Sequence, residues 1–133
     1  MIRLLIKTVI GTKNDREIRR LRPLVARINE IEASLQSLSD EDLREKTARW
    51  KAELCQIQDD AELARRLDEL LPEAFAVVKN VCRRLTERRE KIIVRGHEMV
   101  WDMIPFDVQL IGGWALHHGR IAEIGRASCR ERV

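Results

Sequence analysis

Three cysteines and three histidines carry the side chains best suited to catalysis or metal binding, yet their spacing forms no known site. The cysteines include no C-x-x-C pair and their number is odd, which is typical of reduced thiols in a cytosolic protein. The histidines lie at no zinc-type spacing from the cysteines, so the sequence predicts no metal site. These residues are Cys55, Cys82, Cys129, His97, His117 and His118.

Known catalytic motifs are also missing from the sequence. It contains no G-x-S-x-G nucleophile elbow, no H-E-x-x-H zinc motif and no G-x-x-x-x-G-K-[ST] phosphate loop. One polar group of interest is Gln109, which stands among apolar residues and carries one acceptor and two donors on a planar head. Taken alone, such a glutamine is typical of a solvated helix position.

The elements that hold these residues are predicted to be mainly α-helical, because apolar residues recur at intervals of three and four along most of the chain. Ser39 and Asp42 are typical of a capping box. Pro23 should kink or restart one helix, and Pro72 should begin another. The apolar positions of the predicted helices run over residues 18–38, 43–57, 63–70, 75–85 and 106–114.

Two further patterns give local predictions. Residues 92–94 and 97–101 are typical of two short strands around a tight turn, so we expect a β-hairpin near 92–101. Gly112 and Gly113 weaken the helix that follows Pro105, and they make sense where another backbone or a ligand comes close. In the helix predicted to begin at Pro72, the buried face is expected to consist of Phe75, Val78, Val81, Cys82 and Leu85.

Residues 1–10 form an amphipathic pattern with a cationic side. Arg3 and Lys7 fall on one helical face, while Leu5, Ile6 and Val9 fall on the other. The pattern is too short to span a bilayer and lacks a signal-peptide cleavage site. It fits a helix that contacts a membrane surface or a partner, and equally a helix packed on its own domain.

The net charge is +3, but the last ten residues contribute +2 of it, so the rest of the chain is almost neutral. A nucleic-acid-binding domain would need a clustered arginine face, for which the pairs at 65–66, 83–84 and 88–89 are candidates. Acidic residues flank each pair, which favours a solvated face and no nucleic-acid partner. A stand-alone helical module that binds another protein is a second alternative.

Five segments in order resemble the N-terminal region of the SecA family of preprotein translocase ATPases. Together they extend over residues 1–123, at about the spacing seen in that family. The segments are NDR at 14–16, LSDEDLREKT at 38–47, LPEAFAVV at 71–78, PFDVQLIGG at 105–113 and LHHGRIAE at 116–123.

This resemblance implies a fold and a division of the chain. Residues 1–104 would be a helical N-terminal region that includes the hairpin. Residues 105–123 would begin a P-loop nucleotide-binding domain of the RecA-like, helicase type. The expected fold class is therefore mainly α, with a helical extension joined to the start of a truncated NTPase domain.

The resemblance also implies a function. Members couple ATP hydrolysis, with Mg²⁺, to the movement of preproteins through the Sec channel of the bacterial cytoplasmic membrane. Gln109, with its neighbour Phe106, would contact the adenine. Arg3, Leu5, Ile6, Lys7 and Val9 would contact acidic phospholipids and the channel. The implied location is cytoplasmic and peripheral to the inner membrane, and the protein could form oligomers.

The pattern of the family fails after Glu123, where the phosphate loop is expected. Residues 124–133 instead resemble a translated sequencing-library adapter, so we expect a non-native tail. Without the phosphate loop and the second RecA-like domain, this chain should neither bind ATP tightly nor catalyse its hydrolysis.

Overall fold

The computed structural model describes residues 13–122, and its side chains from residue 15 onward. Over these residues the chain is mainly helical with one two-stranded antiparallel sheet, which confirms the coarse fold prediction. The elements are α1 (Lys13–Leu35), α2 (Asp40–Leu54), α3 (Asp60–Glu87), β1 (Lys91–Val94), β2 (His97–Val100) and α4 (Asp107–His117). No helix of the described part is long and apolar enough to cross a bilayer.

The prediction that Pro72 begins a separate helix is wrong, because Pro72 lies buried inside the continuous helix α3. A proline inside a helix costs about 3 kcal/mol. Its neighbours Leu70, Leu71 and Val77 are buried, and burying one such side chain contributes about 1.5–3 kcal/mol. The apolar packing therefore outweighs the backbone cost. Pro23 likewise lies inside α1, which does not restart there.

The core forms where α1 and α3 pack along each other, with α2 resting on α3 and α4 on α1. The central side chain is Ile28, which is fully buried. The buried apolar cluster consists of Val25, Ile28, Leu35, Leu43, Ala76, Val77 and Leu110.

The predicted buried stripe of α3 is wrong in part. Val78 and Val81 are 55% and 39% exposed, whereas the polar residues Lys79 and Asn80 are buried. The helix turns these polar groups inward because α1 offers partners for them. Asn80 Nδ2 donates to Glu32 Oε1 at 3.3 Å, and Arg83 Nε donates to the same atom at 2.8 Å. The other three residues of the predicted stripe are half-buried; they are Phe75, Cys82 and Leu85.

The start of α2 is fixed by a capping box, as predicted. Ser39 Oγ accepts a hydrogen bond from the Asp42 backbone N–H at 3.1 Å, and the Ser39 N–H donates to Asp42 Oδ2 at 2.8 Å. Two of the free N–H groups at the helix start are thereby satisfied.

Asp40 joins the beginning of α2 to the end of α3. Its carboxylate accepts from Arg88 Nη1 and from Arg84 Nη1, each at 2.8 Å. The guanidinium of Arg84 also donates to the carbonyl oxygens of Leu35 and Leu38, at 2.9 and 2.6 Å. These contacts hold the α1–α2 turn against α3.

The Asp40 contacts predict a loss of stability in acid. Hydrogen bonds from Arg88 and Arg84 lower the pKa of Asp40 to about 2, from an ordinary value of 3.8. Ionised Asp40 contributes fully to the free energy of unfolding above its unfolded-state pKa, and this contribution is lost as the pH falls through its folded-state pKa. The difference in stability between the parent chain and Asp40→Asn should therefore be constant above about pH 5 and should decrease as the pH falls from 4 to 2. Thermal melts across this range test it, and a difference that persists unchanged at pH 2 would contradict it.

The β-hairpin is confirmed, with Lys91 paired to Val100 and Val94 to His97. Its turn residues Arg95 and Gly96 have φ values of 51° and 81°, which is the geometry of a type I′ turn. The Trp101 N–H donates to the Glu90 carbonyl at 2.8 Å and extends the pairing by one step. The sheet packs little surface, since Ile93 and Met99 are 80% and 53% exposed.

Candidate nucleotide-binding segment

The first turn of α4 orients the side chain of Gln109. The helix begins at Asp107 with Phe106 as its N-cap, and Gln109 is its third residue. Gln109 Oε1 accepts a hydrogen bond from the Phe106 backbone N–H at 2.8 Å. Phenylalanine has no side-chain acceptor, so only this half of a capping box can form. The carboxamide of Gln109 is therefore held in one orientation at an exposed helix start.

A polar network anchors the same turn to the helical core. Lys79 is 8% exposed, and its Nζ donates to Asn29 Oδ1 at 2.7 Å. Asp107 Oδ1 accepts from Asn29 Nδ2 at 3.2 Å and lies 3.5 Å from Lys79 Nζ. A carboxylate in the first turn also interacts favourably with the helix dipole. One side chain each from α1 and α3 thus fixes the position of the turn that carries Gln109.

The middle of α4 comes close to α3 at Gly113, where the sequence predicts a close approach. A Cβ at this position would lie 2.9 Å from Phe75 Cζ, inside van der Waals contact. The neighbour is an aromatic side chain rather than a backbone or a ligand. Gly112 differs, because a Cβ there would meet only Ala122 Cβ at an ordinary 3.8 Å.

These two glycines give a matched pair of variants. Gly112→Ala should raise stability by up to about 1 kcal/mol, because alanine favours a helix more than glycine does. Gly113→Ala should be less stable than Gly112→Ala by about 1–3 kcal/mol, since its methyl group displaces the Phe75 ring. Urea unfolding of both variants measures the difference. Equal stability of the two would contradict the close contact, and Phe75→Leu should relieve the strain at Gly113.

The end of α4 carries a cluster of ring and charged side chains. His117 Nε2 lies 2.7 Å from Asp68 Oδ1 on α3. The Trp114 ring lies near His118, at a centroid distance of 4.1 Å, and near the guanidinium of Arg120, at 5.2 Å. The contact between His117 and Asp68 connects the C-terminal end of α4 to the middle of α3.

Several of the predicted site residues are not brought together by the described structure. Arg3, Leu5, Ile6, Lys7 and Val9 lie outside the described residues, as do residues 123–133. Phe106 is 70% exposed and lies beside Gln109 in sequence. Two surface depressions of about 800 and 550 Å³ lie along α2 and α3, and Gln109 lines neither of them.

Sequence reasoning missed the residues that position the candidate site. Lys79 interrupts an apolar run, and a charge on a buried helical face is a signal that it has a partner. The identity of that partner could not be read from the chain, because Asn29 lies 50 residues away and Asp107 lies 28 away.

Residues 6–126 match the family model described as the SecA DEAD-like domain. That match covers most of the chain. The chain belongs to the SecA family.

Curated SecA relatives agree with this assignment. The "Protein translocase subunit SecA" of Prosthecochloris aestuarii is 39% identical over 87% of this chain, and that of Nitratidesulfovibrio vulgaris strain DP4 is 44% identical over 93%. The aligned part makes up 15% and 12% of these two relatives, so the chain spans about one seventh of their length. No solved structure matches the chain.

The family assignment confirms the resemblance predicted from the five sequence segments. It also supports a helicase-type fold and a role in protein translocation at the level of the family. The match to the family extends three residues into the predicted non-native tail, and the origin of that tail stays a prediction.

Proposed function

We propose that this segment forms the adenine side of the nucleotide cleft in an ATP-driven motor that moves preproteins across the bacterial cytoplasmic membrane through the Sec channel. The observation that carries the proposal is the fixed carboxamide of Gln109 at the start of α4. Its oxygen is held by the Phe106 N–H at 2.8 Å, and the turn around it is anchored to both long helices.

The held carboxamide matches the edge of adenine. A carboxamide oxygen has two lone pairs, so Oε1 can accept from the adenine N6 amine while it keeps the bond from Phe106. The Nε2 group can then donate to N7, which completes a bidentate contact. Such a pair contributes about 1–3 kcal/mol of discrimination between bases.

The same bond discriminates against bases with an oxygen at position 6. To serve guanine or hypoxanthine, the carboxamide would have to rotate and present Nε2 to the oxygen. That rotation would place Nε2 against the Phe106 N–H, so that two donors face each other. The backbone of Phe106 therefore makes Gln109 selective for adenine.

Apolar side chains beside Gln109 offer a surface for the face of the base. Phe106 and Val108 are 70% and 73% exposed. Exposed apolar groups next to an oriented polar group are typical of a binding surface. The remaining wall and the phosphate contacts would come from parts of the motor that this sequence does not include.

The chain by itself should not turn over ATP. Phosphoryl transfer depends on positioning and charge neutralisation by the phosphate loop, Mg²⁺ and a second domain. The sequence contains no such loop. Gln109 supplies a few hydrogen bonds of about 1 kcal/mol each, which cannot hold ATP alone.

Calorimetric titration tests this part of the proposal. ATP with Mg²⁺ should show no micromolar binding to residues 1–133. A graft of residues 1–122 in place of the aligned segment of the Nitratidesulfovibrio vulgaris relative should restore it, because the graft supplies the missing phosphate site. Tight binding to the isolated chain, or none to the graft, would contradict the proposal.

Residues 1–10 have a separate role in the proposal. Arg3 and Lys7 would meet acidic phospholipid headgroups, and Leu5, Ile6 and Val9 would enter the interface below them. This segment would bring an otherwise cytoplasmic motor to the inner membrane and its channel. A helix of ten residues would bind reversibly.

The contacts of the arginines at 66, 83 and 84 disfavour the alternative of nucleic-acid binding. Arg66 contacts Glu53 at 2.6 Å, Arg83 contacts Glu32 at 2.8 Å, and Arg84 contacts Asp40 at 2.8 Å. Guanidinium groups already paired with carboxylates contribute less to counterion release on DNA or RNA. The alternative of a stand-alone interaction module has no comparable observation in its favour.

A further inference from the structure

Three side chains with metal-binding atoms meet where the end of α4 touches the middle of α3. They are Asp68, His117 and His118, and one ligand atom from each lies within 4.8 Å of the others. His117 Nε2 and His118 Nε2 lie 2.7 and 3.7 Å from Asp68 Oδ1. Spacing along the chain gave no sign of this cluster, because Asp68 precedes His117 by 49 residues.

The distances suit a small divalent ion. Zinc binds nitrogen and oxygen ligands at about 2.0–2.2 Å, which places tetrahedral ligands about 3.3 Å apart. The two distances to Asp68 lie on either side of that value. The two imidazole rings are not stacked, since their planes meet at 76° and their centroids lie 5.1 Å apart. All three ligand atoms lie within 4.8 Å of one another, so side-chain rotations can bring them around one ion.

The tautomer of His118 also suits metal binding. Its Nδ1 lies 2.9 Å from the Trp114 carbonyl oxygen, and a carbonyl only accepts, so Nδ1 carries the hydrogen. The lone pair is then on Nε2, which is the atom that faces Asp68. In metal-binding histidines, the N–H of the second ring nitrogen commonly donates a hydrogen bond to a carbonyl in this way.

Solvent access and ligand type favour a transition metal. The side chains of His117 and His118 are 27% and 30% exposed, and that of Asp68 is 55% exposed, so an ion can enter and water can complete its coordination. Imidazole ligands suit zinc and its neighbours, whereas magnesium and calcium prefer oxygen alone.

We propose that Asp68, His117 and His118 form a site for a divalent transition-metal ion of the zinc type. The ion takes the place of the hydrogen between His117 Nε2 and Asp68, and the bound imidazole of His117 keeps one hydrogen, on Nδ1. Bound metal fastens α3 to the C-terminal end of α4. The proposal is independent of the adenine contact.

Titration of the 133-residue chain with Co²⁺ and Zn²⁺ tests the site. One equivalent of Co²⁺ should bind with the visible spectrum of nitrogen and oxygen ligation, and Zn²⁺ should displace it. Zinc should also raise the melting temperature with increasing concentration, as any ligand of the folded state does. A sulfur-to-cobalt charge-transfer band would show thiol ligation instead and would overturn the proposal.

Variants locate the ion. His118→Ala should weaken binding by at least about tenfold. The variant should still fold, because the polar contacts of His118 with other described residues are those at the cluster and within its own helix turn. Asp68→Asn should weaken binding similarly, whereas His97→Ala in β2 should leave it unchanged. Absence of binding to the parent chain, or equal affinity in His118→Ala and His97→Ala, would overturn the proposal.

Discussion

Replacement of Glu32 with alanine should lower the free energy of unfolding by about 2–4 kcal/mol. The Glu32 side chain is 5% exposed, and it accepts from Arg83 Nε at 2.8 Å and from Asn80 Nδ2 at 3.3 Å. Burial raises the pKa of Glu32 and the bonds from Arg83 and Asn80 lower it, with a net lowering that keeps the carboxylate ionised. Removal of one partner of a buried pair leaves the other uncompensated, although the partly exposed Arg83 can recover some hydration.

A surface ion pair provides the matched control for Glu32. Glu41 pairs with Arg44 at 3.0 Å, and both side chains are more than 70% exposed. Such pairs contribute about 0–1 kcal/mol, so Glu41→Ala should change stability little. Urea unfolding of the two variants beside the parent chain gives the comparison. A loss below about 1 kcal/mol for Glu32→Ala would mean that the α1–α3 contact depends on apolar packing alone.

Local signals in the sequence predicted local structure well. The capping box at Ser39 and the turn at Arg95 and Gly96 each depend on neighbouring residues. Such features are set by backbone geometry over a few positions. They required no knowledge of which helices pack together.

Features that depend on contacts between distant parts of the chain could not be predicted from the sequence in this way. Pro72 was expected to begin a helix, yet burial of the residues around it keeps α3 continuous. Val78 and Val81 were expected inside, yet Lys79 and Asn80 are buried instead because α1 supplies Asn29 and Glu32. The pattern of one helix cannot reveal the polar groups of the helix it packs on.

At the candidate site, too, some features were predicted from the sequence and others were not. Gln109 and Phe106 came from the family resemblance, and their placement at the start of α4 followed from Pro105. Neither the resemblance nor the spacing indicated that Asn29 and Lys79 anchor Asp107. Those contacts join positions that are 78 and 28 residues apart.

The second large effect is expected at Gln109 in the grafted motor. Gln109→Ala removes both contacts to the adenine edge, so the affinity for ATP should fall by about 5- to 150-fold, which corresponds to 1–3 kcal/mol. Affinity for ITP, which has an oxygen at position 6, should change little because the parent site already rejects it. Gln58→Ala, at an exposed glutamine in the α2–α3 loop, is the matched control.

The ratio of ATP to ITP affinity is therefore the most direct measurement of the adenine assignment. Calorimetry on the graft of residues 1–122 should give a strong preference for ATP, which Gln109→Ala abolishes and Gln58→Ala retains. If the Gln109 variant kept the full preference for ATP, the start of α4 would not contact the base, and the proposed half of the nucleotide cleft would be wrong.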